Sequence, residues 1–279
     1  MSEDPKARDE SIVSDVAGID ASPIDPSRIL AELARRNLPI GRPLNFAEVT
    51  TSTNDDAKRA AREGAASGAA FLANAQTDGR GRLGRAWHSP PGENLYASFL
   101  LRPSLDPKRA PLVTLASGLA VADTLEPLVP RARVTLKWPN DVLIDGRKVA
   151  GILSEAHLSG EDAWIVVGIG INVHSRAFPG DLAARATSLV LSGATAVDRS
   201  DLFVALASSL SARLETLRTG ASSTLVESFA ARDGLAGCPV TVDGAPAIAI
   251  GIGRDGALRI RHPDGTESSC IAGDVQLRV

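Results

Sequence analysis

The sequence has little of what small secreted or metal-bound folds are built from: 279 residues contain two cysteines and four histidines. Two cysteines exclude a disulfide framework. Cys238 and Cys270 share no ligand spacing with His88, His157, His174 or His262, so no metal site is expected. One bridge within the terminal segment, or two free thiols in a reducing compartment, are the readings left. No run approaches the ~18 apolar residues of a membrane span. The first 27 residues are polar and acidic, with no basic stretch leading into an apolar one, so no secretory signal is read. A net charge of −3 gives none of the basic excess of a general nucleic-acid binder. The expectation is a cytoplasmic protein with no nucleic-acid or membrane partner.

Familiar nucleotide motifs are missing too. No Gly-Lys-Ser/Thr occurs, which excludes a Walker A loop, and neither His-Arg-Asp nor Asp-Phe-Gly accompanies a kinase glycine loop. What is present is "GRGRLGRAWHSPPG" over 79–92, in which Gly79, Gly81 and Gly84 spell G-x-G-x-x-G. A dinucleotide site needs a helix directly after such glycines. Here prolines follow, and then a strand pattern. The remaining readings are a phosphate site gathering Arg80, Arg82 and Arg85 by bidentate guanidinium contacts, or a solvated basic loop.

The hydrophobic fraction of 44% supports a buried core. Residues 1–27 read as a disordered lead-in, and 28–38 as a helix capped by Ser27. Strand patterns follow at 44–50, 69–75, 93–102, 133–138, 148–156 and 163–173, and helical ones at 51–64, 108–126, 200–220 and 222–234. Short turns between successive strands imply antiparallel pairing. From 237 onward Asp-Gly pairs at 243, 255 and 264 punctuate short strands, the pattern of a small β-barrel. The fold class is α/β of the α+β type: a mixed sheet with helices packed on it over 28–234, and a small barrel over 237–279.

Two further stretches carry candidate chemistry. "KWPNDVLIDGRKVAGI" (137–152) places Lys137 and Lys148 on either side of a hairpin, with Asn140 and Asp141 in a tight bend. A simple turn with two surface lysines is the alternative. "VVGIGINVH" (166–174) has Gly168 and Gly170 inside a strand before Asn172, which marks a ligand or another backbone approaching closely, or a core bulge.

Taken together and in order, S-T-N at 52–54, Q-T-x-G-R-G-R-x-G-R at 76–85, Trp87 with S-P, N-L-Y at 94–96, K-W-P-N-D at 137–141, R-K-V-A-G-I-L at 147–153, G-I-G-I-N-V at 168–173 and T-S-L at 187–189 resemble the biotin protein ligases. The resemblance implies activation of biotin by MgATP to biotinyl-5'-AMP, then transfer to one lysine of the biotin carrier domain of a biotin-dependent carboxylase. It implies biotin contacts from Ser52, Thr53, Asn54, Gln76, Gly79, Arg80, Gly81, Arg82, Lys148 and Gly151. Trp87, Lys137, Asn140 and Asn172 would meet the nucleotide, Trp87 by stacking on adenine. Lys148 and Arg82 would act on the reacting carboxylate and phosphate. Asp141 is read either as the base for the acceptor amine or as a turn-stabilising or Mg²⁺-linked carboxylate. The terminal barrel would be the family's SH3-like domain. Some members carry an N-terminal DNA-binding domain; about 43 mostly acidic residues with one helix leave no such expectation here. Monomer and homodimer both stay open. A lipoate-type ligase is the rival enzyme, although its R-R-x-x-G-G-G signature is absent, and a non-catalytic biotin sensor is the rival of another class.

Overall fold

A computed structural model describes residues 22–102, 109–158, 160 and 162–277. Residues 1–21, most of the expected lead-in, lie outside the described residues. Helix α1 spans Pro26–Arg35, earlier at both ends than the sequence reading. Its cap is Asp25 and not Ser27, because the Asp25 carboxylate accepts from the Ser27 and Arg28 amides, each at 3.0 Å. Pro26 opens the first turn, where a missing N–H costs nothing.

Seven strands make one sheet in the order β1-β2-β3-β7-β6-β5-β4. They are β1 Leu44–Thr50, β2 Ala70–Gln76, β3 Leu95–Leu101, β4 Val134–Lys137, β5 Asp141–Ile144, β6 Arg147–His157 and β7 Trp164–Ile171. Only β1 and β2 run parallel, and the other neighbours are antiparallel. Strand β5 is a correction to the sequence reading, which passed from 138 to 148 in one hairpin. Asp145 (φ 47) and Gly146 (φ 78) close a second hairpin, so Lys137 and Lys148 stand on β4 and β6 with β5 between them. Four residues were too few to show alternation in sequence.

The two faces of the sheet bury different things. On β3, Leu95, Ala97, Phe99 and Leu101 enter the large core with α3 (Ala110–Leu125) and α5 (Arg199–Arg218). On β7, Ile165, Val167, Ile169 and Ile171 do the same. The residues between them point the other way, as the two-residue period of a strand requires. There, Leu100, Trp164 and Val166 pack with Ala57 and Ala61 of α2 (Thr53–Arg62). Tyr96, Ser98, Gly168 and Gly170 share that face, Ser98 and Gly168 against the first two residues of α2 and the other two beyond it. The side left open next to α2 is where the candidate site forms.

After the one-turn α4 (Leu182–Arg185), α5 and α6 (Ser222–Ala230), a second sheet follows in the order β11-β10-β9-β8-β12. Its strands are β8 Pro239–Val242, β9 Ala245–Ile252, β10 Leu258–Arg261, β11 Glu267–Cys270 and β12 Val275–Leu277. All three Asp-Gly pairs sit between strands, as read. Val240, Ala249, Leu258 and Val275 join the same large core. The buried Trp138 indole donates to the Gly256 carbonyl at 3.0 Å, so the sheets are joined by packing and by a hydrogen bond. Both cysteines are free thiols.

Phe99 and Phe203 stack at 5.6 Å between β3 and α5, fully buried. Phe203→Ala should lower unfolding free energy by about 3–5 kcal/mol, the cost of deleting a buried aromatic ring, read as the shift of a urea melt.

Candidate active site

The open side of the sheet holds a cavity of about 640 Å³, within the range of small-molecule sites. Its floor follows from strand register. Tyr96 pairs with Gly170, Gly170 with Gly151, Gly151 with Asp141, and Asp141 with Lys137. Cross-strand partners share a face, so these five residues cross β3, β7, β6, β5 and β4 in one row. Two adjacent glycines in the middle leave a trough. Beside it runs Ser98–Gly168–Leu153.

The trough is filled by protein side chains. A Cβ on Gly168 would overlap Asn54 Oδ1, and one on Gly170 would come within 2.5 Å of the Trp87 indole. The strand glycines are therefore neither a bulge nor a direct mark of a ligand: they admit an asparagine and a tryptophan. The Trp87 ring lies against Gly170 and Gly151, with Lys148 Nζ 5.2 Å from its centre. Its buried Nε1–H has no acceptor among the described residues.

One end of the cavity is neutral and buried. Gln76 Oε1 accepts from the Thr53 amide at 3.0 Å, and Gln76 Nε2 donates to Ser89 Oγ at 2.9 Å. Ser98 Oγ stands 2.6 Å from Asn54 Oδ1 and 2.8 Å from Thr53 Oγ1. Asn54 Nδ2 donates to Glu155 at 2.8 Å, and Glu155 takes Lys58 at 2.7 Å. Ser52 caps α2 and lines the same end.

The other end is charged. Lys148 Nζ meets Asp141 Oδ1 at 2.6 Å. Burial holds the Lys137 ammonium below the ordinary lysine range, with Asp141 opposing that shift and Lys148 adding to it. Asn140 Nδ2 donates to the Ile152 carbonyl at 2.8 Å, and Asn172 Nδ2 to the Thr187 carbonyl at 2.9 Å. Both amides thus brace the walls while lining the cavity.

The glycine-rich stretch is a ribbon folded over this cavity. Trp87 N–H donates to the Gly79 carbonyl at 2.8 Å, Gly81 N–H donates to Arg85 O at 2.7 Å, and Arg80 pairs with Ala86. Gly79 sits at the foot, packed on Ser89 and the Trp87 carbonyl, and does not line the cavity. The arginines do not converge as the phosphate reading had it. Arg80 pairs with Asp55 on α2, and Arg85 with Asp274 at 2.7 Å. Burial pushes the Asp55 carboxyl up, but hydrogen bonds from Arg80 and Lys58 prevail and hold it below the usual range. Arg82 lies between, 3.4 Å from Asn140 Oδ1.

Of the residues singled out in sequence, all but Gly79 line this cavity. Missed were Ser89, Glu155, Lys58 and the 273–277 segment. Ser98 was missed as well; the signal that could have found it is a serine inside "LYASFLL", where every residue is buried. Gly168→Ala should cost about 1–3 kcal/mol, because Asn54 is pinned by three partners and cannot yield; thermal melting checks this against Gly118→Ala in α3, whose new methyl meets nothing nearer than 3.7 Å.

With this geometry in view, comparisons with known proteins place it. Residues 46–172 match the model of the biotin/lipoate A/B protein ligase family. A biotin–[acetyl-CoA-carboxylase] ligase of Mycobacterium tuberculosis is 38% identical over 77% of this chain and 80% of that protein. The bifunctional ligase/repressor of Bacillus spizizenii is 36% identical over 57% of this chain, and the match spans half of that longer protein. A biotin protein ligase of Aquifex aeolicus, solved in complex with biotin and ATP, superposes with a TM-score of 0.71 at 30% identity, over 85% of this chain and 99% of the other.

Proposed function

Because the chain belongs to the biotin/lipoate A/B protein ligase family, we propose that it joins biotin to ATP as biotinyl-5'-AMP and passes the biotinyl group to a lysine of a carboxylase's biotin carrier domain. The observation that carries this reading is the division of one cavity into a neutral buried end and a cationic end with Trp87 between them. A ureido ring is uncharged and offers two N–H donors and one carbonyl, which suits Thr53, Asn54, Gln76 and Ser98. Its valerate carboxylate and the nucleotide α-phosphate are anions that need Lys148 and Arg82. Lipoate's dithiolane ring would bring no hydrogen-bonding group to the neutral end, which favours biotin.

In the first step a carboxylate oxygen attacks the α-phosphorus and pyrophosphate leaves. Two anions must approach, so fixed cations and the Mg²⁺ that accompanies ATP supply the stabilisation, with no covalent nucleophile. Magnesium needs few protein ligands when phosphates provide the rest, and no group of three His, Cys, Asp or Glu stands together among the described residues to hold it alone. In the second step the acceptor amine attacks the acyl carbon, AMP leaves, and the amine proton must go to a base. Asp141 is assigned that role, and Lys148 its exchange partner: as Lys148 turns from Asp141 to the phosphate, the carboxylate is released. The ribbon over 79–87 shields the mixed anhydride from water, the indole of Trp87 faces adenine, and the second sheet, within residues 237–277, forms the SH3-like barrel.

The test is the biotin- and MgATP-dependent mass increase of an apo carrier domain, with a lipoyl domain and lipoate alongside. Modification of the carrier alone supports the assignment; tight biotin binding with neither domain modified would leave a sensor instead. Lys148→Ala should slow adenylate formation by about 10²-fold or more, the scale of losing one preorganised charge-stabilising donor, measured as pyrophosphate release. Asp141→Asn should slow transfer from preformed adenylate by about 10²-fold, and transfer at the wild-type rate in a single-turnover assay would remove the base role.

A further inference from the structure

The ribbon is anchored at three places, and one of them belongs to the other sheet. Arg85 reaches the Asp274 carboxylate at 2.7 Å, and Arg82 Nη2 stands 3.3 Å from the neighbouring Gly273 carbonyl. Asp274 is itself held firmly: its amide donates to Asp243 Oδ1 at 2.8 Å, and its carbonyl accepts from the Asp243 amide at 3.0 Å. Gln276 Nε2 adds a hydrogen bond to the same carboxylate at 2.8 Å. Its position is thus fixed by the Asp243-Gly244 turn of the second sheet, before any contact with the ribbon. On the ribbon's side, the tip turns through Leu83 (φ 56) and Gly84 (φ 70), with the Leu83 side chain 68% exposed. The tip has no apolar packing to hold it down, so its closed position depends on the arginines flanking it.

We propose that Asp274 is a positioning residue for the closing ribbon: by holding Arg85 it keeps residues 79–87 over the cavity and sets how long the activated intermediate stays bound. This rests on the ligase reading above and adds to it a role for the second sheet. Substrates enter and products leave only when the ribbon lifts, and lifting it separates Arg85 from Asp274. Asp274 lines the cavity but has no part in either chemical step, so its loss acts more on escape of the intermediate than on its formation. Arg85 is 61% exposed, so the pair is screened by solvent and its effect is modest, about 2- to 5-fold in a rate.

Asp274→Asn keeps the shape and removes the charge. Biotinyl-adenylate should leave this variant about 2- to 5-fold faster than wild type, a larger change than any in pyrophosphate release. The difference should shrink toward none as salt is raised through the range that screens exposed ion pairs, and the double exchange Arg85→Asp with Asp274→Arg should restore slow escape. A purely structural role in the second sheet would show neither the salt response nor the rescue, and either failure overturns the proposal. Trypsin supplies a readout free of the ligase reading: in the ligand-free protein, Asp274→Asn should be cut faster after Arg80, Arg82 and Arg85. If wild type forms no adenylate, the ligase assignment fails, and equal tryptic rates in the two proteins would then sink the latch by itself.

Discussion

Positions 151, 168 and 170 carry no side chains on the face of the sheet that α2 leaves uncovered, and the site depends on that. With ordinary residues there, the antiparallel row from Tyr96 to Lys137 would bury its own side chains or expose them, and no trough would exist. Gly168 admits Asn54 so closely that a methyl group would overlap it, and Gly170 does the same for Trp87. Helix α2, the sheet and the ribbon are thus brought to one surface by missing atoms. The neutral end then assembles from uncharged groups, Thr53, Asn54, Gln76, Ser89 and Ser98 bonding one another while Asn54 also donates to the Glu155 carboxylate behind them, as polar groups removed from water must.

Charge is handled differently at each end of the cavity. The protein is acidic overall, yet the cavity gathers Arg80, Arg82, Arg85, Lys137 and Lys148. Most of these have a carboxylate of their own: Asp55 for Arg80, Asp274 for Arg85, and Asp141 for Lys148. Such pairing keeps cations together without mutual repulsion and leaves each able to exchange its partner for an anionic ligand. Arg82 has only two long contacts, to an amide oxygen and a backbone carbonyl. It is the ribbon cation that an arriving phosphate can take without breaking an ion pair. Lys137, desolvated below the ordinary lysine range, likewise gains from an incoming anion more than an exposed lysine would.

How much of this was legible in the sequence depended on whether the signal was local. The strand runs at β3 and β7, the Asp-Gly turns of the second sheet and the helical spacing of α5 are properties of short windows, and the structure has them. Strand β5 was lost because four residues beginning at an Asp read equally well as turn. The start of α1 moved because the Asp25 carboxylate takes the Ser27 and Arg28 amides, which places Ser27 inside the first turn. Within the site, the ordered set of motifs led to the polar residues of α2, the ribbon and the sheet, but not to Phe178, the 182–186 turn or the 273–277 segment, which also line the cavity. What no window could show was pairing across the fold. Glu155 and Asp274 are ordinary surface-type residues in sequence, and their significance lies in facing Lys58 and Arg85 from other elements.

The same distinction explains the arginines of the ribbon. Spacing alone suggested that three guanidinium groups within six residues converge on one anion. A two-stranded ribbon instead sends alternate side chains to opposite sides, so Arg80 turns toward α2 while Arg85, past the tip, turns toward the second sheet. All three line the cavity, but only Arg82, at the turn beside Asn140, does so without a carboxylate partner among the described residues. The glycines that looked like a phosphate cradle make the ribbon narrow enough to fold, and the flanking arginines fasten it at its two sides. Recognition of the anion then falls to Arg82 and Lys148, while enclosure falls to the anchors, which lets the ribbon open without dismantling the groups that act on the reacting carboxylate.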